Sequence, residues 1–258
     1  MAGFAVCCFC GSGIQPGGGA LCRRKERDMI KAILWDVDGT LLSFKKAERA
    51  AMQSCFDSYG LGQCTEEQLR RYSVLNLDYW KRLERGEITK ERLLVERFEK
   101  FFAAEGLPCA DPAGFNAEYQ LRLGDTICFN DDSYRLVESL RGRVGQYAVT
   151  NGTRVAQDRK LRRSGLDKLF DGIFISDAVG CEKPGLAFFD YVFAHIPPWG
   201  KEEILIVGDS LTSDIRGGNN AGIRTGWYNP DGEENTAGVH VDYELRDLRE
   251  VLKLVERA

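Results

Sequence analysis

The chain has 258 residues, enough for one large domain or for a core domain that carries a smaller insertion. Its 35 basic and 39 acidic residues give a formal charge of -4, which argues against a nucleic-acid polymer as a partner. The longest apolar run, Phe4 to Cys10, has seven residues. A membrane span needs roughly 20. These features predict a soluble protein that does not associate with membranes.

Residues 1–28 form a leader whose composition differs from that of the rest of the chain. It holds four of the nine cysteines and a glycine triplet, and its basic cluster follows its apolar stretch, the reverse of a secretion signal. We expect this leader to be disordered or to precede a true start at Met29. The odd cysteine count in a chain of this length indicates reduced thiols, so the predicted location is the cytoplasm.

The first predicted element is a buried strand over residues 30–35, which ends at the turn-forming sequence DVDGT. The following segment has apolar residues at helical spacing and predicts amphipathic helices over 45–59, 66–85 and 89–104. Thr65 and Thr89 are candidate N-caps. The segment from 44 to 125 is therefore predicted to be an all-helical insertion.

Strands and helices alternate in the remainder of the chain. Strands are predicted at 146–150, 172–176, 204–207 and 224–228, with helices at 133–140, 154–164, 186–195 and 213–221. This alternation predicts an α/β fold with a doubly wound parallel sheet covered on both faces. The predicted domains are a core of residues 29–43 and 126–258 and a helical domain of residues 44–125 inserted after the first strand.

Two carboxylates end the first strand. Asp36 and Asp38 are separated by one residue, so they are expected to point to the same side and to suit a divalent cation plus one reacting group. A plain Asp-Gly turn is the structural alternative. The pair alone therefore indicates a site without defining its chemistry.

Polar residues also follow three later strands. Thr150 and Asn151 offer neutral donors for phosphate oxygens, Lys183 offers a cation, and Asp209 and Asp214 flank the turn into a helix. Each has an ordinary alternative as a cap, a turn or a surface charge. Ligands of open parallel sheets bind at the carboxyl ends of the strands, where all of these residues are predicted to meet. Together they predict a phosphate and metal site.

These motifs resemble those of the haloacid dehalogenase superfamily: DVDGT at 36–40, Thr150, Lys183 and GDSLTSD at 208–214. The resemblance runs from about Met29 to the end of the chain and implies a Rossmann-like core with an inserted helical cap. The superfamily contains both dehalogenases and phosphatases. Asp38 favours a phosphatase, because a phosphatase needs an acid/base two residues after its nucleophile.

The resemblance implies a role for each matched residue. Asp36 would be the nucleophile that forms an aspartyl-phosphate, and Asp38 the proton donor and acceptor. Mg2+ would be held by the carboxylate of Asp36, the backbone carbonyl of Asp38 and the side chain of Asp209. The phosphoryl group would be bound by Thr150, Asn151 and Lys183, and Asp214 would orient Lys183 or a metal-bound water.

The cap sequence YSVLNLDYWKRLERGEIT, residues 72–89, resembles that of pyrimidine-nucleotide 5'-nucleotidases. Asn76 could pair with a pyrimidine edge and Trp80 could stack on the base, so the predicted substrate is a small phosphorylated metabolite of the nucleoside monophosphate type. Alternatively, Trp80 belongs to the cap core, and the substrate is phosphoglycolate or a sugar phosphate. A phosphomutase uses the same paired aspartates. A non-catalytic nucleotide- or metal-binding regulator is a further alternative, although such a relative would be expected to have lost Asp36, Asp38 or Asp209.

Overall fold

The described residues form a sheet of six parallel strands. A computed structural model describes residues 29–108 and 110–255, so the predicted leader of residues 1–28 lies outside the described residues. The strand order is β3-β2-β1-β4-β5-β6, and every neighbouring pair is parallel. The strands are β1 (Ala32–Trp35), β2 (Gly145–Thr150), β3 (Gly172–Ile175), β4 (Ile204–Gly208), β5 (Arg224–Tyr228) and β6 (Tyr243–Leu245).

Strand β1 lies in the middle of the sheet and is buried along its whole length. Ile33 and Trp35 pack into one apolar cluster, while Ala32 and Leu34 pack into another. Successive side chains of a strand point to opposite faces, so β1 is covered on both sides. This confirms the predicted α/β fold with a doubly wound, Rossmann-like parallel sheet.

The segment between β1 and β2 is helical, as predicted. Its first four helices are α1 (Phe44–Ser58), α2 (Glu66–Glu84), α3 (Lys90–Glu105) and α4 (Pro112–Leu123). We call these residues, 44–123, the helical segment. Thr65 caps α2 and Thr89 caps α3, each with its side-chain oxygen accepting a backbone N–H.

The helical segment has an aromatic core of its own. Its members are fully or almost fully buried and include Phe56, Tyr72, Phe98, Phe115 and Tyr119. Each such side chain contributes about 1.5–3 kcal/mol when it leaves water. This separate core supports the proposal that residues 44–125 form a cap inserted into a core of residues 29–43 and 126–258.

The remaining helices flank the sheet. They are α5 (Ser133–Ser139), α6 (Arg154–Ser164), α7 (Ser176–Val179), α8 (Leu186–Ala194), α9 (Arg216–Ala221) and α10 (Val251–Val255). Among the described residues, no helix combines the length and the apolar character needed to cross a bilayer.

Several described elements differ from the sequence-based expectation, and three of them have a clear physical reason. Helix α4 was not predicted, because Gly114 and Asn116 are poor helix formers, and buried Phe115 and Tyr119 stabilise it instead. Strand β6 at the sheet edge has only three residues, too few for a periodic signal. The helix predicted at 213–221 begins as a π-helical turn, Leu211–Ile215, which continues into α9.

Candidate active site

Asp36 follows β1 directly and lies at the carboxyl edge of the sheet. Its backbone N–H donates to Val207 of β4 at 2.9 Å, and the residue is 6% exposed. Three residues later Gly39 has a φ of +96°, and a Cβ there would lie 2.5 Å from Oδ2 of Asp209. The glycine of DVDGT therefore lets the loop after β1 approach the loop after β4.

Lys183 reaches this edge from the loop between α7 and α8 and is 1% exposed. Its ammonium donates to Oδ1 of Asp36 at 2.8 Å, to Oδ1 of Asp214 at 2.6 Å and to the carbonyl of Val149 at 2.8 Å. Burial lowers the pKa of Lys183, but the charges of Asp214 and Asp36 outweigh it and hold that pKa above its ordinary value. Lys183 is therefore a charged, fully bonded cation inside the site.

For the carboxyl group of Asp36, burial shifts the pKa in the other direction from its effect on Lys183. Burial raises its pKa well above the ordinary value, and the charges of Asp214 and Asp209 add to this effect against the attraction of Lys183. Its Oδ2 atom is buried and has no hydrogen-bond partner among the described residues. An unpartnered buried carboxylate oxygen is costly, so this atom is available to a cation.

Asp209 is held by Thr40 from the DVDGT turn. The hydroxyl of Thr40 donates to Oδ1 of Asp209 at 3.1 Å and accepts the backbone N–H of Asp209 at 3.0 Å. The surrounding protein and the charge of Asp214 raise the pKa of Asp209 to about 7. Asp209 is exposed whereas Asp36 is buried, so water screens the charge of Asp209 more effectively than that of Asp36.

Asp214 lies close to Asp36 and Asp209, and we call these three residues the acidic cluster. It is 1% exposed, and its Oδ2 accepts the backbone N–H of Ser210 at 3.1 Å. One oxygen each from Asp36, Asp209 and Asp214 lie within 4.8 Å of one another. When all three carboxylates are ionised, the one positive charge of Lys183 leaves negative charge in excess. Oxygen donors with excess negative charge are the chemistry that Mg2+ requires, and the residues therefore fit this ion.

Thr150 is the last residue of β2 and Asn151 follows it, next to the acidic cluster. Thr150 is buried, and its hydroxyl accepts the backbone N–H of Gly152 at 3.2 Å. Both amide atoms of Asn151 bond to the backbone of Lys183, at 2.8 and 2.9 Å. In this conformation the Asn151 side chain therefore joins two loops, and phosphate binding by these residues stays a prediction.

The carboxylate of Asp38 is held by two side chains of α6. Gln157 Nε2 donates to Oδ2 at 2.5 Å, and the ammonium of Lys160 donates to Oδ1. Neither residue stands out in the sequence, because lysine and glutamine on a helix are usually exposed. An indication in the sequence is that Gln157 and Lys160 are three residues apart, a spacing that puts both side chains on one face of a helix.

Asn76 and Trp80 lie in α2 of the helical segment. Asn76 is 3% exposed, donates to Glu48 at 3.1 Å and accepts from Arg97 at 2.7 Å. Trp80 is half-buried and packs against a small apolar cluster that includes Leu83. Their predicted role in base recognition stays a prediction, and Asn76 also has a structural role in a buried polar network.

The helical segment contacts the sheet domain near the acidic cluster. Glu84 at the end of α2 lies beside Thr212, and burial raises the pKa of the Glu84 carboxyl group. Buried Lys90 at the start of α3 donates to Ser176 Oγ at 2.7 Å and pairs with Glu182 at 3.1 Å. These contacts connect the helical segment to the loops that carry Asp214 and Lys183.

A sequence model of the haloacid dehalogenase-like hydrolases matches residues 30–222, most of the chain. The protein belongs to this family of enzymes. A crystal structure of the HAD-hydrolase YfnB from Bacillus subtilis, described as bound to magnesium, is 34% identical and has a TM-score of 0.83, covering 88% of this chain and 99% of that one. The predicted superfamily is thus confirmed.

Two pyrimidine 5'-nucleotidases are similar over most of their length. PynA of Streptococcus pneumoniae is 34% identical over 88% of this chain and 95% of its own. YjjG of Escherichia coli is 30% identical over 86% of this chain and 96% of its own. Glyceraldehyde 3-phosphate phosphatases are also among the relatives.

Proposed function

We propose that the protein is a magnesium-dependent phosphomonoester hydrolase that works through an aspartyl-phosphate on Asp36. The observation that carries the proposal is the state of the Asp36 carboxylate. One of its oxygens is fixed by the buried ammonium of Lys183, while the other is buried without a partner beside two more carboxylates. A carboxylate held in one orientation and next to a cation site is suited to nucleophilic attack on phosphorus.

The acidic cluster is the proposed magnesium site. The carboxylates of Asp36 and Asp209 and the backbone carbonyl of Asp38 would hold the ion, and Asp214 would orient Lys183. When bound, Mg2+ neutralises charge on the phosphoryl group and allows an anionic carboxylate to approach it.

The reaction divides between Asp36 and Asp38. A carboxylate oxygen of Asp36 attacks phosphorus, the bond from phosphorus to the leaving oxygen breaks, and Asp38 gives that oxygen its proton. Asp38 then takes a proton from water as the water attacks phosphorus, and the bond between phosphorus and Asp36 breaks. Inorganic phosphate and free Asp36 result. The presence of Asp38 supports this chemistry over dehalogenation.

Three groups are proposed to bind the phosphoryl oxygens. The hydroxyl of Thr150 and the backbone around Asn151 supply neutral donors at the end of β2, and Lys183 supplies the charge. Fixed donors of this kind stabilise the charge that develops on the transferring group without needing to reorganise.

The proposed substrate is a nucleoside 5'-monophosphate with a pyrimidine base. Support comes from the similarity to PynA and YjjG and from Trp80, whose ring is half-buried near the end of α2. A three-carbon or other sugar phosphate is the second candidate, favoured by the glyceraldehyde 3-phosphate phosphatases among the relatives. In either case the partner is a small phosphorylated metabolite.

The test is a phosphate-release assay of the full chain with Mg2+. The panel contains uridine, thymidine and adenosine 5'-monophosphates, glyceraldehyde 3-phosphate, phosphoglycolate and hexose phosphates, with β-glucose 1-phosphate to detect mutase activity. We expect the highest kcat/KM on the pyrimidine nucleotides. A wide advantage for a sugar phosphate would reject the nucleotidase proposal, and no release from any substrate would reject the phosphatase proposal.

A further inference from the structure

Both carboxylate oxygens of Asp38 are bonded to one face of α6. Lys160 donates to Oδ1 and Gln157 to Oδ2, and each of the two donors is 1% exposed. An aspartate with a free carboxylate would sample several rotamers. With a separate donor on each oxygen, the Asp38 carboxylate has a single defined position and orientation.

The local sequence explains how α6 reaches Asp38. Thr153 caps the helix by accepting the backbone N–H of Ala156 at 3.3 Å, and its hydroxyl donates to Gln120 of the helical segment at 2.7 Å. The cap of the helix therefore lies only three residues after Thr150, the last residue of β2. A Cβ on Gly152 would overlap the amide of Gln157, so this glycine makes room for the contact.

The contacts of Asp38 with Lys160 and Gln157 would cost free energy of folding if they served only to stabilise the protein. Burying an ammonium costs several kcal/mol unless a counter-charge is well placed, and the ion-pair partner of Lys160 among the described residues is Asp38. The Oε1 atom of Gln157 is buried and has no partner among the described residues. An arrangement selected only for folding would satisfy that carbonyl or replace the amide with an apolar side chain.

We propose that Lys160 and Gln157 are positioning residues for Asp38. This inference rests on the proposed function, specifically on Asp38 as the proton donor and acceptor. Lys160 holds the carboxylate that remains after the proton has passed to the leaving oxygen, and keeps it in place to take a proton from water. Neither residue touches the substrate, and both act through Asp38.

Gln157 suits a group that alternates between two protonation states. Its Nε2 donates to the carboxylate, and after rotation of the amide its Oε1 can accept from the carboxylic acid. Lys160 can only donate. Asp38 therefore has one partner that can only donate a hydrogen bond and another that can either donate or accept.

The experiment compares Lys160→Met, Lys160→Arg and Asp38→Asn in the full chain with Mg2+. Arg162→Met, an exposed residue on the same helix, is the matched control. Each variant is assayed on the best alkyl phosphomonoester of the panel, whose leaving group needs a proton, and on p-nitrophenyl phosphate, whose leaving group departs as a stable anion. The burst of nitrophenolate reports the first phosphoryl transfer, and steady-state turnover reports the complete cycle.

For Lys160→Met we expect kcat on the alkyl substrate to fall about 10- to 100-fold, part of the 10²–10⁴ that a positioned acid–base group contributes, with little change in KM. The nitrophenolate burst should keep nearly the wild-type rate, because that step needs no proton donor. Lys160→Arg should recover most of the loss, since it restores a cation that donates to Asp38. Arg162→Met should match the wild type.

Gln157→Leu covers the case in which Lys160→Met does not fold. It removes one donor without leaving a buried charge unpaired, and we expect the same split between burst and turnover at a smaller size. Wild-type turnover in these variants, equal losses in burst and turnover, or no recovery with Lys160→Arg would each overturn the inference while leaving an active phosphatase. An inactive wild type would instead refute the proposed function, and this inference with it.

Discussion

The ammonium nitrogen of Lys183 lies 2.8 Å from Oδ1 of Asp36, although 147 positions separate the two residues in the sequence. The same nitrogen lies 2.6 Å from Oδ1 of Asp214. One buried cation is thus shared by two carboxylates, and a third, that of Asp209, lies close by. This relationship fixes the orientation of the proposed nucleophile, and when all three carboxylates are ionised the cluster carries uncompensated negative charge.

Replacing Lys183 tests whether its ammonium fixes the orientation of the Asp36 carboxylate. Lys183→Met removes the donor that holds Asp36 and that is proposed to bind the phosphoryl group, so we expect kcat to fall by about 10²–10³, as for the loss of one preorganised donor. Lys183→Arg keeps the charge but cannot reproduce three bonds from one nitrogen, so it should be intermediate. Steady-state kinetics with thermal unfolding as a folding control provide the measurement. A folded Lys183→Met variant with unchanged kcat would contradict the assignment.

Chelation tests the proposed metal site. We expect EDTA to abolish phosphate release and added Mg2+ to restore it, because the acidic cluster repels an anionic substrate when no cation is bound. Asp209→Asn should raise the Mg2+ concentration needed for half-maximal activity. Full activity in EDTA after exhaustive dialysis would rule out the site.

The pH dependence of stability follows from the raised pKa values of Asp36 and Asp209. Both lie above the ordinary value of 3.8, and that of Asp209 is about 7. The stabilisation associated with protonated Asp36 and Asp209 is complete below about pH 3.8 and is lost as the pH rises through their folded-state pKa values. Because Asp36 is the more buried, most of this effect belongs to it.

Mg2+ should offset that loss by stabilising the ionised carboxylates. We expect Mg2+ to raise the melting temperature more at about pH 8 than at about pH 6, relative to EDTA, in thermal unfolding scans. Asp36→Asn removes the more buried charge, so its melting temperature should depend less on Mg2+. If Mg2+ raised the melting temperature equally at both pH values, or more at the lower one, the proposal that it stabilises the ionised carboxylates would be contradicted.

Substitutions of Trp80 and Asn76 distinguish a role in base recognition from a role in the stability of the cap. If Trp80 stacks on the base, Trp80→Ala should lower kcat/KM on a pyrimidine nucleotide by about 5- to 150-fold, corresponding to about 1–3 kcal/mol of stacking. It should have little effect on glyceraldehyde 3-phosphate. Equal losses on both substrates would assign Trp80 to packing alone.

Asn76 bridges Glu48 and Arg97 in the interior of the helical segment. Asn76→Ala leaves both partners short of a hydrogen bond, so we expect the free energy of unfolding to fall by about 1–3 kcal/mol, measured by urea titration. Unchanged stability together with altered base preference would instead favour direct recognition of the substrate.

The sequence predicted the core of the fold because parallel strands impose a simple rule. The buried runs around Ile33, Val149 and Ile206 are strands of one sheet, so the polar residues that follow them meet at one edge. That rule brought Asp36, Lys183 and Asp209 into one prediction. The structure brings Asp36 and Asp209 together with Asp214, and Lys183 with Asp36 and Asp214.

Features that depend on tertiary contacts could not be predicted. Lys160 and Gln157 look like ordinary helix-surface residues until the loop after β1 lies against α6. Asn76 looks like an exposed polar group in an amphipathic helix, yet Arg97 and Glu48 bury it. Helix α4 has weak intrinsic propensity and forms because Phe115 and Tyr119 are buried among other aromatic rings. In each case the deciding partner is distant in the sequence.

The most direct test of the account is chemical capture of the phosphorylated enzyme. During turnover the protein is quenched in acid, reduced with borohydride, which converts an aspartyl-phosphate to homoserine, and mapped by peptide mass spectrometry. We predict substrate-dependent homoserine at position 36, and none in Asp36→Asn, whose turnover should fall by several orders of magnitude. Modification at another residue, or near-normal turnover of Asp36→Asn, would contradict the covalent mechanism.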